Sequence, residues 1–476
     1  MTNTVVNNAT EEKTELISVF DKKNSKIIFL YTLFWSLTFL IATPIVCILS
    51  GEGMDIFKNF FLILTSPSKL VTDYFDIGGP SSTLLNAGLC GLACNLVTLF
   101  SKSKSSSNVL AGYFLVIAHC FYGLNLINMW PTFCGVYVYC LATRKKFSDN
   151  LHIAMFATSL APFVSDFLFR YTLGDEFVFG QVRVTIMGFV LAIAFGIAAG
   201  FIVPALLPGT TKMHRGFNLY KAGLAIGLLG CFIFAFMYET LGLTAPEAIV
   251  RGNELYAAHE FSYAKYMNVI FIFVFASSIL AGYLMNGKSF HGYKKLLRST
   301  GHGVDFSVKY GMPTSLINIG VYGLLIVLYL NIIFLLTDGV GYTGATAGVT
   351  IAAITFSASG QNPRNVWPIV LGYAALYVLA SALCSIIGLE LPWSLSSQGY
   401  INGLAFATGL CPFTGKYGWR IGMIAGFMCA IICTSTLAMH GGFVLYNGGL
   451  TAGLTALILI PILDFYNVKE KFKEQD

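Results

Sequence analysis

The stretch Gly123-Leu-Asn125-Leu-Ile-Asn128-Met-Trp130-Pro131-Thr-Phe-Cys-Gly135 returns later in the chain as Gly360-Gln-Asn362-Pro-Arg-Asn365-Val-Trp367-Pro368-Ile-Val-Leu-Gly372. The shared pattern, G-x-N-x-x-N-x-W-P-x-x-x-G, sets two amides three residues apart ahead of a Trp-Pro, inside otherwise apolar sequence. In a membrane such amides must find partners or bind something. Two readings follow. Asn125, Asn128, Asn362 and Asn365 are polar groups of a solute site, or they cap and bridge packed helices as polar side chains in membranes commonly do.

The repetition extends outward from this motif. Phe156-Ala-Thr158-Ser-Leu160-Ala-Pro162-Phe163 recurs as Phe406-Ala-Thr408-Gly-Leu410-Cys-Pro412-Phe413, and Met213-His214-Arg-Gly216-Phe217-Asn-Leu219-Tyr220 recurs as Met439-His440-Gly-Gly442-Phe443-Val-Leu445-Tyr446. Upstream, Asn86 and Asn318 sit in a fainter match. The order is kept, and apolar composition alone cannot produce that. Thr158 and Thr408 join the amides as candidate binding groups; Gly123, Pro131, Pro162, Gly360, Pro368 and Pro412 are candidate helix breaks or hinges. His214, Tyr220, His440 and Tyr446 are candidates for gating or for anchoring at the membrane interface.

Composition sets the class. The chain has 476 residues, 56% apolar, 11% charged, with a mean hydropathy of +0.71, far above a soluble domain. Apolar segments fall near 27–49, 83–100, 108–122, 129–143, 151–165, 184–207 and 221–238, then near 266–285, 313–336, 342–359, 366–388, 397–413, 420–438 and 446–464. Segments 108–122, 151–165 and 397–413 fall short of the ~20 residues needed to cross hydrocarbon, so 108–143 is either a pair of crossings or a re-entrant hairpin. The expected fold is an all-α polytopic membrane protein with about 10 to 14 spans. Its parts are a cytoplasmic polar tail (1–25), membrane repeat 1 (26–240), an external loop (241–263), membrane repeat 2 (264–466) and a cytoplasmic tail (467–476).

Charge placement orients the spans. Lys102, Lys104, Arg144, Lys145, Lys146, Lys212, Arg215, the cluster Lys288 to Lys309, Lys416 and Arg420 mark one face, cytoplasmic by the positive-inside rule, with both termini on it. Seven crossings per half make equivalent segments run in opposite directions, an inverted repeat of the kind that supports alternating access.

The three motifs resemble those of an uncharacterised bacterial membrane-protein family built from a duplicated domain of unknown function, over roughly Ile27 to Leu463. The resemblance implies no activity or site residues. A shorter likeness, Thr408 to Phe413, is similar to the Leu-Pro and Thr-x-Pro-Phe elements of urea-channel repeats.

Other features narrow the function. Gly282-Tyr-Leu-Met-Asn-Gly287-Lys288-Ser289 fits the P-loop letters but closes a membrane run and lacks the strand and nucleotide domain that motif requires. The eleven cysteines, mostly within apolar runs, imply neither disulfide nor metal. His119 stands in an apolar segment without a second ligand and reads as a packing residue. Asp166 and Glu390 fall at span ends, leaving no carboxylate inside a span for obligatory proton coupling. No nucleophile and base, aspartate pair or metal cluster supports an enzyme, no basic-aromatic patch supports nucleic acid, and no cofactor is implied. The expected function is a secondary transporter or facilitator of a small neutral or weakly polar solute in a cell membrane, with Na⁺ as a possible coupling ion. A passive channel and a membrane-embedded protein of non-transport function are the alternatives.

Overall fold

Backbone amides and carbonyls in lipid must pair within their own segment, so long apolar runs become helices. The computed structural model describes residues 2–70, 72–174, 177–337 and 341–474, with side chains throughout except in 2–20 and 255–265. Among these residues there are helices and no strand. In chain order they are α1 (Thr2–Ser50), α2 (Asp55–Thr65), α3 (Tyr74–Phe100), α4 (Ser107–His119), α5 (Met129–Ala142), α6 (Phe147–Tyr171), α7 (Ile186–Met213) and α8 (Lys221–Thr240). The second half brings α9 (Glu254–Met285), α10 (Met312–Leu336), α11 (Gly344–Ala353), α12 (Pro363–Ile386), α13 (from Gln398–Ala407 on through Cys411–Tyr417), α14 (Trp419–Ile432) and α15 (Asn447–Phe465). Nine of the described helices are long and apolar enough to cross a membrane: α1, α3, α6, α7, α8, α9, α10, α12 and α15. Their outward sides expose Ile48, Phe100, Ile186, Phe232, Leu335 and Ile386, side chains that water would not tolerate in such number on a monomer. The protein is an all-α polytopic membrane protein.

The segment near 151–165 is longer than its sequence suggests. It belongs to the 25-residue α6, which runs through a 3-10 turn at Thr158–Leu160 and ends in a π turn. Pro162 stands in the first turn after that 3-10 segment, where a missing N–H costs no helical bond. Pro412 occupies the same place in α13. This continuation also brings Asp166 and Arg170 inside a span, where they pair at 2.6 Å, so the expectation of charge-free spans is corrected there. By contrast α4 and α11 are truly short: 13 and 10 residues give about 20 and 15 Å, less than the ~30 Å of hydrocarbon. Each is buried on all sides and capped by a hydroxyl, Ser106 accepting from Val109 N and Thr343 from Thr346 N.

Equivalent residues of the two halves make equivalent contacts. Asn86 Nδ2 donates to the carbonyls of Cys120 and Leu124, and Asn318 Nδ2 to those of Ser357 and Gln361. The α5–α7 crossing closes on Gly135 and Gly200, the α12–α14 crossing on Gly372 and Gly426; a Cβ at any of the four would strike the facing backbone. At the centre Gly223 of α8 lies on Gly449 of α15, backbone against backbone.

Contacts gather the charged loops into two ends. One holds Asn24 with Ser307 and Met312, Lys104 with Asp21, Arg215 with Asp464, Lys416 with Glu470 and Lys309 with Glu474. This basic end contains the cations that the sequence assigns to one face. The other end joins Leu70 to Gly442, Lys69 to Pro246, Arg251 to Asp76 and Asp73 to Gly344. His214 therefore adjoins the basic end and His440 the opposite one, despite nearly identical local sequences.

Candidate functional site

The duplicated motif builds its own turn. Asn125 and Asn128 cap one another reciprocally: Asn128 Oδ1 accepts from Asn125 N at 2.8 Å, and Asn125 Oδ1 accepts from Asn128 N at 3.0 Å and from Ile127 N. Their amide nitrogens donate to Ile63 O, and to Gly123 O and Ser165 Oγ. Asn362 and Asn365 repeat the capping box and donate to Leu296 O and Gly360 O. Every amide is bonded within the protein. Gly123 and Gly360, at φ +147° and +153°, carry the turn into which Leu445 and Leu219 of the opposite half press. Pro131 packs on Gly196 and Pro368 on Gly422. Thr158 donates to Met155 O, and Thr408 to Ala405 O while accepting from Gln361 Nε2 at 2.6 Å. The motif frames the interior; its polar atoms do not face an open space.

An open space lies at the basic end. A vestibule of about 850 Å³ enters between α4, α6, the end of α7, the start of α8 and the loop 302–305. Its walls carry His152, Lys212, Arg215, Lys221, His302 and Asp305, and its floor is Phe156, Leu219, Phe356 and Ser359. His302 Nε2 donates to Arg215 O at 2.8 Å, and burial lowers its pKa from the usual imidazole value, opposed by that bond.

Below the floor lies an aromatic layer. Tyr220 is packed by Phe356, Phe406 and Tyr446 at ring distances of 4.8, 5.1 and 5.9 Å. Its hydroxyl donates to Ala352 O at 2.7 Å and accepts from Gln361 Nε2. Tyr446 meets Phe406 at 5.5 Å, His119 at 6.3 Å and Phe156 at 6.4 Å, and His119 meets Tyr122 at 5.5 Å. Tyr220 and Tyr446 are fully buried: the loops 214–220 and 440–446 fold inward and bring the two rings together. His119, Tyr122 and Tyr446 have no hydrogen-bond partner for their polar side-chain atoms among the described residues. Each such atom costs about 1–3 kcal/mol.

Beyond the layer the equivalents of two vestibule residues are buried. The positions that face the vestibule as His152 and Lys221 are Asn402 and Asn447 in the second half, both buried. His440 Nε2 donates to Asn447 Oδ1 at 2.9 Å, Thr436 bonds Thr451 at 2.7 Å, and Gln398 Nε2 donates to Asn402 Oδ1 at 2.6 Å. Leu70 N donates to Gly442 O at 2.6 Å. His214, the counterpart of His440, is equally buried with both nitrogens unpartnered among the described residues.

Residues 52–239 and again 285–465 match the family model described as Protein of unknown function (DUF1576). The chain belongs to the DUF1576 family. Both DUF1576 matches start just after the first span of a half, so α1 and most of α9 lie outside them, which is narrower than the Ile27 to Leu463 resemblance. The first match contains Asn125, Thr158 and His214, the second Asn362, Thr408 and His440. No curated protein and no solved structure matches the chain.

Sequence reasoning did not single out Phe156, Phe356, Phe406, Tyr122 or Gln361, and set His119 aside as packing. The usable sign was difference within the repeat. His119 aligns with Phe356, Tyr122 with Ser359 and Leu124 with Gln361, next to the glycine and the two asparagines that the halves share.

Proposed function

We propose that the protein is a secondary carrier of a small neutral or weakly polar solute, working by alternating access between two inverted repeats. The observation that carries this is the unequal surroundings of equivalent loops: residues of 207–222 line a vestibule at the basic end, while in 433–448 buried side chains are bonded within their own hairpin, His440 to Asn447 and Thr436 to Thr451. A duplicated framework whose two copies stand in unequal surroundings has a second arrangement of nearly equal energy, reached by exchanging the roles of the halves. The Gly-on-Gly crossings support rigid-body movement, since close backbone packing transmits displacement without compressing side chains. Opposite placement of His214 and His440 supports the inverted orientation, with the basic end cytoplasmic.

The central layer is aromatic and hydroxylic with no Asp, Glu, Lys or Arg among Tyr220, Tyr446, Phe156, Phe406, Phe356, His119 and Tyr122, which favours an uncharged solute. Phe156 and Tyr446 form part of a continuous aromatic floor, which favours a carrier over a passive channel.

The test is transport by the full chain in proteoliposomes, with and without a Na⁺ gradient, using a set of uncharged probes: urea, glycerol, uracil and nicotinamide. Saturable uptake with counterflow of at least one probe is the expected result. Non-saturable flux without counterflow makes the protein a channel, and no flux of any probe with the Lys221 and Asn447 positions never exchanging accessibility removes transport.

A further inference from the structure

We propose that His119, Tyr122 and Tyr446 form the polar contact site for the transported solute, and that the solute is a small, flat, uncharged molecule carrying both a hydrogen-bond donor and an acceptor. This rests on the carrier reading and deepens it.

The comparison within the repeat isolates the site. Tyr220 and Tyr446 are equivalent, yet their surroundings differ. Around Tyr220 the rings of Phe356 and Phe406 stand at 4.8 and 5.1 Å; around Tyr446 the equivalent His119 and Phe156 stand at 6.3 and 6.4 Å. The Tyr220 hydroxyl is bonded on both sides. Thr355 Oγ1 and Tyr322 Oη nearby make no hydrogen bond among the described residues. On the Tyr446 side Leu124 replaces the bonding Gln361, and the imidazole and two phenols are buried to 1% exposure or less without partners among the described residues. In one copy of the framework the central tyrosine is hydrogen-bonded; in the other it stands in looser ring packing without a partner among the described residues.

The chemistry of the three groups defines the ligand. A neutral imidazole offers one donor and one acceptor, and each phenol offers both. Their rings are set edge-on to one another, at 64° for His119 and Tyr446 and 75° for His119 and Tyr122, so a flat molecule entering between them meets ring faces and polar atoms together. A charged solute would find no counter-charge there. Access runs from the vestibule past Phe156, whose ring lies between His152 on the wall and Tyr446.

The experiment compares wild type with Tyr446→Phe, Tyr122→Phe and His119→Phe, the last copying the residue that the second half carries at the equivalent position. Melting of the full chain in lipid nanodiscs is measured alone and with millimolar nicotinamide or uracil, with benzoate as a charged control. Each substitution removes an unpaired polar group, so the variants melt about 1–4 °C higher than wild type without probe. They also lose the upward shift that nicotinamide or uracil gives wild type, while benzoate shifts none. Variants that melt lower and keep the probe shift overturn the site, since the groups are then structural. Higher melting with no probe shift in wild type overturns the solute class. Failure of the carrier reading is separate: wild type that binds nicotinamide but shows no counterflow of it keeps the site and loses transport, whereas counterflow unchanged in all three variants keeps transport and loses the site.

Discussion

Two loops of this protein are built from the same sequence motif and differ in their surroundings. At the basic end Lys221 and His152 stand in the wall of the vestibule, and His214 makes no side-chain bond among the described residues. At the other end Asn447 and Asn402 take those positions, and His440 bonds Asn447 while accepting from Val444 N. The apolar parts are alike, Phe217 stacked on Phe413 at 4.6 Å and Phe443 on Phe163 at 4.7 Å. What separates the two loops is a handful of polar contacts around a common aromatic stack.

The comparison is most exposed to labelling. With native cysteines replaced, Lys221→Cys is expected to react with an impermeant maleimide at least about tenfold faster than Asn447→Cys, because the latter is buried and requires local opening. Reaction should come from opposite sides of the membrane. Equal rates from one side would break both the contrast between the loops and the inverted orientation. A wedge at the central crossing comes next. Gly223→Val puts a side chain into the Gly449 backbone, so it should cost about 1–3 kcal/mol or more and slow labelling exchange at both loops. Gly209→Val, at a site with no atom near its Cβ, is the control and should melt as wild type.

Smaller effects sharpen the role of the paired amides. Asn125→Leu loses bonds to Ile63, Ile127 and Asn128, and Asn362→Leu loses those to Leu296 and Asn365. At about 0.6–2 kcal/mol per membrane hydrogen bond, Asn125→Leu should melt lower, with probe binding preserved in both. Binding lost at an unchanged melting temperature would return the amides to the solute site. The smallest effect is acid sensitivity. Burial holds His214 and His440 down to about 4, with the bond to Asn447 opposing it in His440, while a free imidazole titrates near ~6.5. Between those values the unfolded chain takes the proton and the folded one does not, so stability should be level above pH ~6.5 and fall as pH drops toward ~4. His440→Gln and His214→Gln should each remove a similar part of that fall, because burial holds both imidazoles down to about 4. Identical melting from pH 7.5 to 4.5 in wild type would contradict the burial of both.

Most of the helices were legible because lipid turns apolar length directly into helix, and the repeat supplied their pairing. The amphipathic α2 was missed: its polar Asp55, Lys58 and Asn59 interrupt the apolar run, although Ile56, Leu62 and Ile63 bury one face. The span through Pro162 was cut short because a proline reads as a break unless the 3-10 turn before it is known. The amides were legible as a pair, but their partners, Ile63 O and Leu296 O, lie more than sixty residues upstream, beyond the reach of local pattern. The central aromatic layer depends on rings from six separate segments meeting, and no spacing within one segment encodes that.

Helix α1 has a consequence for how the chain is made. Its Asn24 receives Met312 N at 3.1 Å and donates to Ser307 O, while at its far end Glu52 accepts from Ser81. The far cap closes as soon as α3 is inserted, but the near one waits for residues 283 and 288 positions downstream. At about 5–20 residues per second of synthesis, the first helix stands in the bilayer for roughly 15–60 s with a bare amide at its base. A chain truncated before Ser307 lacks both partners of Asn24 and should be less stable in the membrane, even though residues 52–239, the first family match, are complete.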